Sequence, residues 1–408
     1  MSRGAVGRND DVLVLGMNPH VQAEAEAIQK SHPGARVTTI RDSAWGDDQV
    51  RGARAGGGQG LHDLRSEAGL QSFVAGLALP WAQGQRVVAA LASAGPDARD
   101  ELAQLAQVWA RAEKGGVVPS RLVLSGHSGG FSLWGEAPGF TNGALTRGSL
   151  AQLAAAMPRA AAGVEDLCIA ACYNGGETSV DAWRALFPQV RTVWAYDGSA
   201  PGTFSGATAH LARWEKATRG AVDVLRADRA RGLRKGENVA VWSRREGHQT
   251  ATVRASTAEL RERQALGQAT FTRHFEGRES VRDPQRGPLR EHYNTLQSLL
   301  GRPEVSAGER VALEQARDQT LRVLFYGNVA ERFQHTHEAI LQRGFEALGW
   351  RAPDFSRLSR AEALARIQSF GAELSRRQPP PREAQRLWPL LTQGLRELRR
   401  AHIPDHWL

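Results

Sequence analysis

Cysteine is nearly absent: Cys168 and Cys172 are the only two in 408 residues. So few exclude a disulfide framework and a four-cysteine zinc site, and suit a reducing compartment. Either thiol then stands out as a candidate nucleophile. Lysine is almost as scarce, occurring only at Lys30, Lys114, Lys216 and Lys235. The net charge of +9 is therefore carried by arginine, and the arginines alternate with Glu and Asp instead of clustering. Positive charge without a binding motif does not make a nucleic-acid protein, and no nucleic-acid partner is expected. No apolar run approaches the ~18 residues that a membrane-spanning helix needs, so no membrane partner is expected either. The opening MSRGAVGRNDD lacks the apolar centre of a signal peptide. The expectation is a cytoplasmic protein, with leaderless export left open. With 41% hydrophobic and 23% charged residues the composition is that of an ordinary globular chain.

What is present reads, up to about residue 250, as alternating strands and helices. Residues 11–16 (DVLVLG) form a short apolar run ending in glycine, a buried strand. Helix formers follow over 20–31, then a β-branched strand over 35–40. This β-α-β opening implies a parallel sheet. Residues 41–60 read as a long glycine-rich loop. Helices are expected over 65–80 and 97–113, the second with Leu102, Leu105, Ala106 and Trp109 on one face. Strands open the segments 121–130 and 166–176, and others follow at 191–196 and 238–242, with helices at 148–157, 178–186 and 206–218. An arginine-rich connector spans 226–236. Beyond about 255 the strand signals fade. Ser306 with Glu309 and Ser359 with Glu362 have capping-box spacing, and helical spacing runs through 309–347 and 360–375. The prolines after Arg377 separate the last two helices. The expected organisation is an α/β domain over 1–250 and a helical region over 251–408.

Two of the strands end in the same design. RLVLSGHSGG (121–130) is an apolar strand followed by His127 and glycines. DLCIAACYNGG (166–176) is an apolar strand followed by Cys172 and glycines. Neighbouring parallel strands end at one sheet edge, where reacting groups collect in open α/β folds. A histidine beside a cysteine supplies the base that generates the thiolate. Glycines keep such a cleft open and let backbone N–H groups face an oxyanion. Cys168, inside its strand, reads as a small buried hydrophobe.

These two segments resemble the caspase-like superfamily of cysteine peptidases, which includes caspases, metacaspases, gingipains and separases. LVLSGHS is similar to the metacaspase Tyr-Ser-Gly-His-Gly segment, and AACYNGG to its Asp-x-Cys-x-Ser-Gly segment. The resemblance covers roughly residues 10–250. It implies a mainly parallel six-stranded sheet flanked by helices, with the helical C-terminal region as an extension. It implies a bacterial, metacaspase-like cysteine endopeptidase acting on protein or peptide substrates. Cys172 would form the acyl-enzyme and His127 would orient or protonate the leaving group. The backbone N–H of Cys172, and that of Ser128 or Gly129, would hold the oxyanion. No metal or organic cofactor is needed for that chemistry. Two positions depart from the family pattern. Ser128 replaces the glycine after the histidine, and Ala170 replaces the aspartate two residues before the cysteine. That aspartate helps recognise basic side chains, so specificity is left open. Asp197, after the strand at 191–196, is a candidate substrate-binding residue; the simpler reading is a turn-forming loop aspartate.

A rival reading starts from Gly126-His-Ser-Gly-Gly130, which matches G-x-S-x-G, the nucleophile elbow of α/β-hydrolases. Ser128, Asp197 and His248 then follow in the order a serine esterase requires. The elbow needs a helix immediately after the serine, whereas the next residues are rich in glycine and proline. A third reading is a catalytically silent interaction protein, its helical region serving a regulatory partner. His335 and His337 have no third ligand cluster and read as exposed helical histidines. The connector at 226–236, with Arg226, Arg229, Arg231, Arg234 and Lys235, is a candidate self-cleavage segment.

Overall fold

The computed structural model describes residues 10–17, 20–41, 43–46, 48–95, 98–130, 132–135, 145–250, 255–280 and 283–400. The first nine residues and most of the turn-rich stretch after Ser128 lie outside the described residues. The chain divides into two compact units, which part between Thr252 and Val253.

In the first unit, β1 (Val12–Gly16), α1 (Val21–Ser31) and β2 (Val37–Ile40) form the expected β-α-β opening, with Val12 opposite Val37 in a parallel pair. The segment read as a long loop instead contains a hairpin. Its strands β3 (Gln49–Ala53) and β4 (Gln59–Asp63) pair antiparallel. Burial alternates along both, with Val50, Gly52, Gly60 and His62 inward. Two of these four are glycines, so the two-residue period is invisible to a hydrophobicity scan. Gly57 (φ +91°) and Gly58 (φ +77°) make the turn in conformations that a side chain resists.

Helices α2 (Glu67–Gly76), α3 (Trp81–Ser93) and α4 (Arg99–Glu113) follow. The sequence reading missed α3, which has Pro80 at its N-cap and Gly84 buried inside it. Strand β5 (Arg121–Ser125) leads into three short strands, β6 (His127–Ser128), β7 (Ser132–Trp134) and β8 (Leu145–Thr146), which make a small antiparallel sheet. Then come α5 (Arg147–Ala156), α6 (Pro158–Gly163), β9 (Asp166–Ala170), α7 (Glu177–Arg184), β10 (Thr192–Tyr196), α8 (Ala207–Thr218), β11 (Val239–Ser243) and β12 (Gly247–Thr250).

The central sheet runs β12-β11-β10-β9-β5-β1-β2. Strands β2, β1, β5, β9 and β10 are mutually parallel; β11 is antiparallel to β10, and β12 to β11. This is the mainly parallel α/β architecture expected, with seven strands where six were expected. The extra strand, β12, reads Gly-His-Gln-Thr and is half-buried at an edge, so it carries no apolar signal. Successive residues point to opposite faces. Leu13, Leu15, Leu122, Leu124, Leu167 and Ile169 pack on the face covered by helices from α2 to α7. Val12, Val14, Val123, Cys168, Trp194 and Tyr196 pack on the face covered by α1 and α8. Burial on both faces is why these strands read as unbroken apolar runs.

The second unit is helical, as expected: α9 (Thr257–Phe275), α10 (Asp283–Leu300), α11 (Ala307–Glu346), α12 (Arg360–Arg376) and α13 (Arg382–Arg400). The Ser306 and Ser359 side chains cap α11 and α12 by accepting the Glu309 and Glu362 N–H groups. Leu260, Leu296, Leu299 and Leu313 form a core between α9, α10 and α11. His335 is exposed, but His337 is not: it is half-buried, its ring 5.2 Å from that of Phe333. Among the described residues, no group of three or more His, Cys, Asp or Glu could hold a metal ion. None of the described helices is long and apolar enough to cross a membrane.

Candidate active site

Strands β5 and β9 are neighbours in register, with their last residues, Ser125 and Ala170, opposite each other. His127 lies two residues beyond Ser125, and Cys172 two residues beyond Ala170. The two candidate residues thus leave the same sheet edge with the same offset. His127 is exposed and Cys172 is half-buried, whereas Ser125, Ser128, Ala171 and Tyr173 are buried. Buried neighbours surround the two candidate residues, which are themselves more exposed.

The histidine is held by a hairpin: β6 pairs with β7, placing His127 opposite Trp134 and Ser128 opposite Leu133. Gly126 leaves little room for a side chain, since a Cβ there would sit 3.1 Å from the Trp134 carbonyl oxygen. Gly130 has φ +102°, and its N–H donates to Ser128 Oγ at 2.9 Å.

The cysteine loop is held more tightly. Tyr173 takes a left-handed conformation (φ +62°), uncommon for a residue other than glycine. Its N–H donates to the Gly198 carbonyl at 2.9 Å, and its hydroxyl lies 3.3 Å from Ser199 Oγ. Asn174 is fully buried. Its Nδ2 donates to Ser128 Oγ at 2.9 Å and to the Cys172 carbonyl at 2.7 Å, while Oδ1 accepts the Trp183 indole N–H at 2.9 Å. Gly175 donates to the Tyr196 carbonyl at 2.7 Å. A Cβ on Gly175 would come within 2.4 Å of the Asp197 nitrogen, so only glycine permits this approach to β10. The Ala200 N–H donates to Cys172 Sγ at 3.3 Å. A backbone donor on sulfur favours the charged thiolate over the thiol.

The other thiol is of a different kind. Cys168 is 1% exposed within the sheet, and burial pushes its thiol well above the usual range. Such a cysteine is inert.

Asp197 follows β10, and its N–H donates to the Asn238 carbonyl at 2.9 Å. Burial drives its carboxyl up to about 7 from an ordinary 3.8, and a hydrogen bond from its own backbone opposes this only in part. Glu24, on α1, is buried near the same end of the sheet. Its carboxyl is also raised by burial, with hydrogen bonds from Ser125 and Thr203 opposing.

The serine triad of the rival reading does not assemble among these bonds. Ser128 is buried, and its oxygen accepts from Asn174 and Gly130. His248 stands on β12, four strands from β5, and its Nε2 donates to the Gly175 carbonyl at 2.8 Å. The chain after Ser128 enters the β6–β7 hairpin, not the helix that an elbow requires.

Sequence reasoning missed Asn174, Trp183, Ala200 and Lys235. Asn-Gly-Gly reads as turn chemistry, and nothing local reveals that a tryptophan nine residues on satisfies the amide. The connector is also better ordered than a cleavage linker. Leu225, Ala227 and Ala230 are buried, Arg226 pairs with Glu246 at 2.8 Å, and Lys235 Nζ donates to the Ala200 carbonyl at 3.0 Å.

No family model and no curated protein matches the chain. Among solved structures it is similar to a secreted C11 cysteine protease from Bacteroides thetaiotaomicron, "iotapain". The identity is 11% and the TM-score 0.33, over 81% of this chain and 86% of that chain.

Proposed function

We propose that the first unit is a cysteine endopeptidase in which His127 and Cys172 form the catalytic dyad. The observation that carries this reading is the equal offset of the two residues from the paired strand ends Ser125 and Ala170. The Ala200 N–H on the sulfur supports it. Cys172 Sγ attacks the scissile carbonyl and forms a thioester as the C–N bond breaks. His127 delivers a proton to the leaving amine, and water then hydrolyses the acyl-enzyme. The backbone N–H of Cys172, with that of Ser128 or Gly129, stabilises the oxyanion.

Asp197 is the carboxyl group that directly follows β10, and the neighbouring strand β9 ends in Ala170, without one at that end. A desolvated carboxyl ionises when a cation arrives beside it. The reading therefore places Arg or Lys before the cleaved bond.

The test is hydrolysis of fluorogenic peptides carrying Arg, Lys, Asp or Asn before the scissile bond. Wild type, Cys172→Ala and Ser128→Ala are compared. Abolished activity in Cys172→Ala is expected, with activity reduced but still measurable in Ser128→Ala, which loses only the bonds from Asn174 and Gly130. The reverse pattern would overturn the reading in favour of a serine hydrolase.

A further inference from the structure

The connector expected to be a cleavage site contains a feature that cleavage does not explain. Lys235 is left-handed, with φ +59°. Such a conformation is strained for a residue with a Cβ. Three residues earlier the same connector gives a left-handed position to glycine, Gly232 at φ +81°. The chain has 43 glycines and only four lysines, yet this strained position holds a lysine. The backbone around it is fixed: His210 Nε2 donates to the Arg234 carbonyl at 2.9 Å, and the Asn238 N–H donates to the Lys235 carbonyl at 3.1 Å. A Cβ on Gly236 would meet the Ala230 carbonyl oxygen at 2.2 Å.

The side chain reaches the cysteine loop. Lys235 Nζ donates to the Ala200 carbonyl at 3.0 Å, and the N–H of Ala200 donates to Cys172 Sγ at 3.3 Å. Asn238 Nδ2 holds the preceding carbonyl, that of Ser199, at 3.0 Å. Because one residue's backbone joins the two bonds, the ammonium and the sulfur are at most about 10 Å apart. That is about one Debye length at 0.1 M salt, and the intervening groups are partly buried, so screening is incomplete.

We propose that Lys235 is a positioning residue for Cys172: its ammonium pins the Ala200 segment so that the Ala200 amide stays on the sulfur, and its charge favours the thiolate. This deepens the peptidase reading and rests on Cys172 being the nucleophile. The other titratable groups near Lys235 and Cys172 include His210 of α8 and Glu237 beside Lys235, His127 after β5, Tyr196 and Asp197 at the end of β10, Glu24 of α1 and His248 of β12 through Gly175. All are unchanged in the variants below.

The test is the pH dependence of Cys172 alkylation by iodoacetamide in the full chain, read by peptide mass spectrometry. Cys168 is buried and silent. The variants are Lys235→Gly, Lys235→Met and Lys235→Arg, each with a thermal unfolding scan. In Lys235→Gly the alkylation midpoint should rise by about half a unit to one unit, roughly a three- to tenfold loss of thiolate at a pH below both midpoints. Its unfolding temperature should equal or exceed that of wild type, because glycine relieves the left-handed strain. Lys235→Met should shift the midpoint similarly, and Lys235→Arg should recover part of the shift. Midpoints equal to wild type in both Gly and Met variants overturn the proposal. A shift in Gly but not in Met assigns the effect to backbone freedom and overturns it too. No recovery at all in Lys235→Arg removes the charge from the account. Alkylation needs no peptide turnover. A chain that cleaves no peptide but keeps a Lys235-dependent midpoint refutes the peptidase reading alone, and an active peptidase with a Lys235-independent midpoint refutes this proposal alone.

Discussion

Asn174 donates one side-chain N–H group to Ser128 Oγ at 2.9 Å, and so ties the loop after β9 to the loop after β5. The same amide holds the Cys172 carbonyl and the Trp183 indole N–H. A fully buried side chain making these bonds leaves several polar groups unpaired when truncated. Asn174→Ala is therefore expected to cost about 2–4 kcal/mol in denaturant unfolding. Where the variant still folds, the proposed peptidase activity should fall at least about tenfold, because the two loops lose their common tether. In a double-mutant cycle with Ser128→Ala the two costs should be less than additive, by about 1 kcal/mol. Full additivity would show that the bond does not couple the loops.

The two cysteines should separate cleanly. Native protein treated with iodoacetamide is expected to carry label at Cys172 alone, because Cys168 is packed between Val123 and Trp194 in the sheet. Both should label after denaturation. Label at Cys168 in the native state would contradict the burial that makes it inert.

Asp197 makes a signed prediction about pH. Its carboxyl titrates near 7 in the folded protein, against an ordinary 3.8. A raised carboxyl favours the fold only while it is protonated, so stability falls as pH rises from about 4 to 7. Three units correspond to about 4 kcal/mol at most; partial exposure brings the expectation nearer about 2 kcal/mol. Asn carries no charge at any of these pH values. Asp197→Asn should thus gain stability over wild type at pH 8 and gain nothing from lost ionisation at pH 4. A difference independent of pH would mean that Asp197 does not titrate in this range. If Asp197 also meets the basic side chain of the substrate, the same variant should lose its preference for Arg and Lys through a raised KM.

The fold was legible where side chains repeat a pattern along the chain. The runs at 12–16, 121–125 and 166–170 are apolar because both faces of those strands are covered. Their glycine-terminated ends announced the edge at which His127 and Cys172 emerge. What stayed hidden was hidden for physical reasons. Strands β3 and β4 bury glycines where a scan looks for valine, and β12 is a polar edge strand. Pro80 and Gly84 mask α3. In the candidate site, the pair was readable because each residue follows its own strand. The supports were not, because Asn174, Ala200 and Lys235 act through contacts with segments 9 to 46 residues away.

The connector itself gives the last expectation. Read from sequence, Arg226 to Lys235 is a basic linker open to cutting. In the structure Arg226 is paired with Glu246, the Arg229 carbonyl accepts Arg213 Nη1 at 2.7 Å, and Leu225, Ala227 and Ala230 fill the core beside α8. A protease needs an extended strand, and extending this segment would break those contacts first. Purified wild-type protein held at its active pH should stay a single band, and added trypsin should cut exposed arginines of the second unit before this stretch. Once the connector is cut between Arg231 and Lys235, the ammonium loses its fixed backbone, and the alkylation midpoint of Cys172 should rise as it does in Lys235→Gly. Early cutting in the connector that leaves the thiol midpoint unchanged would show that neither the packing nor the Lys235 contact controls the cysteine.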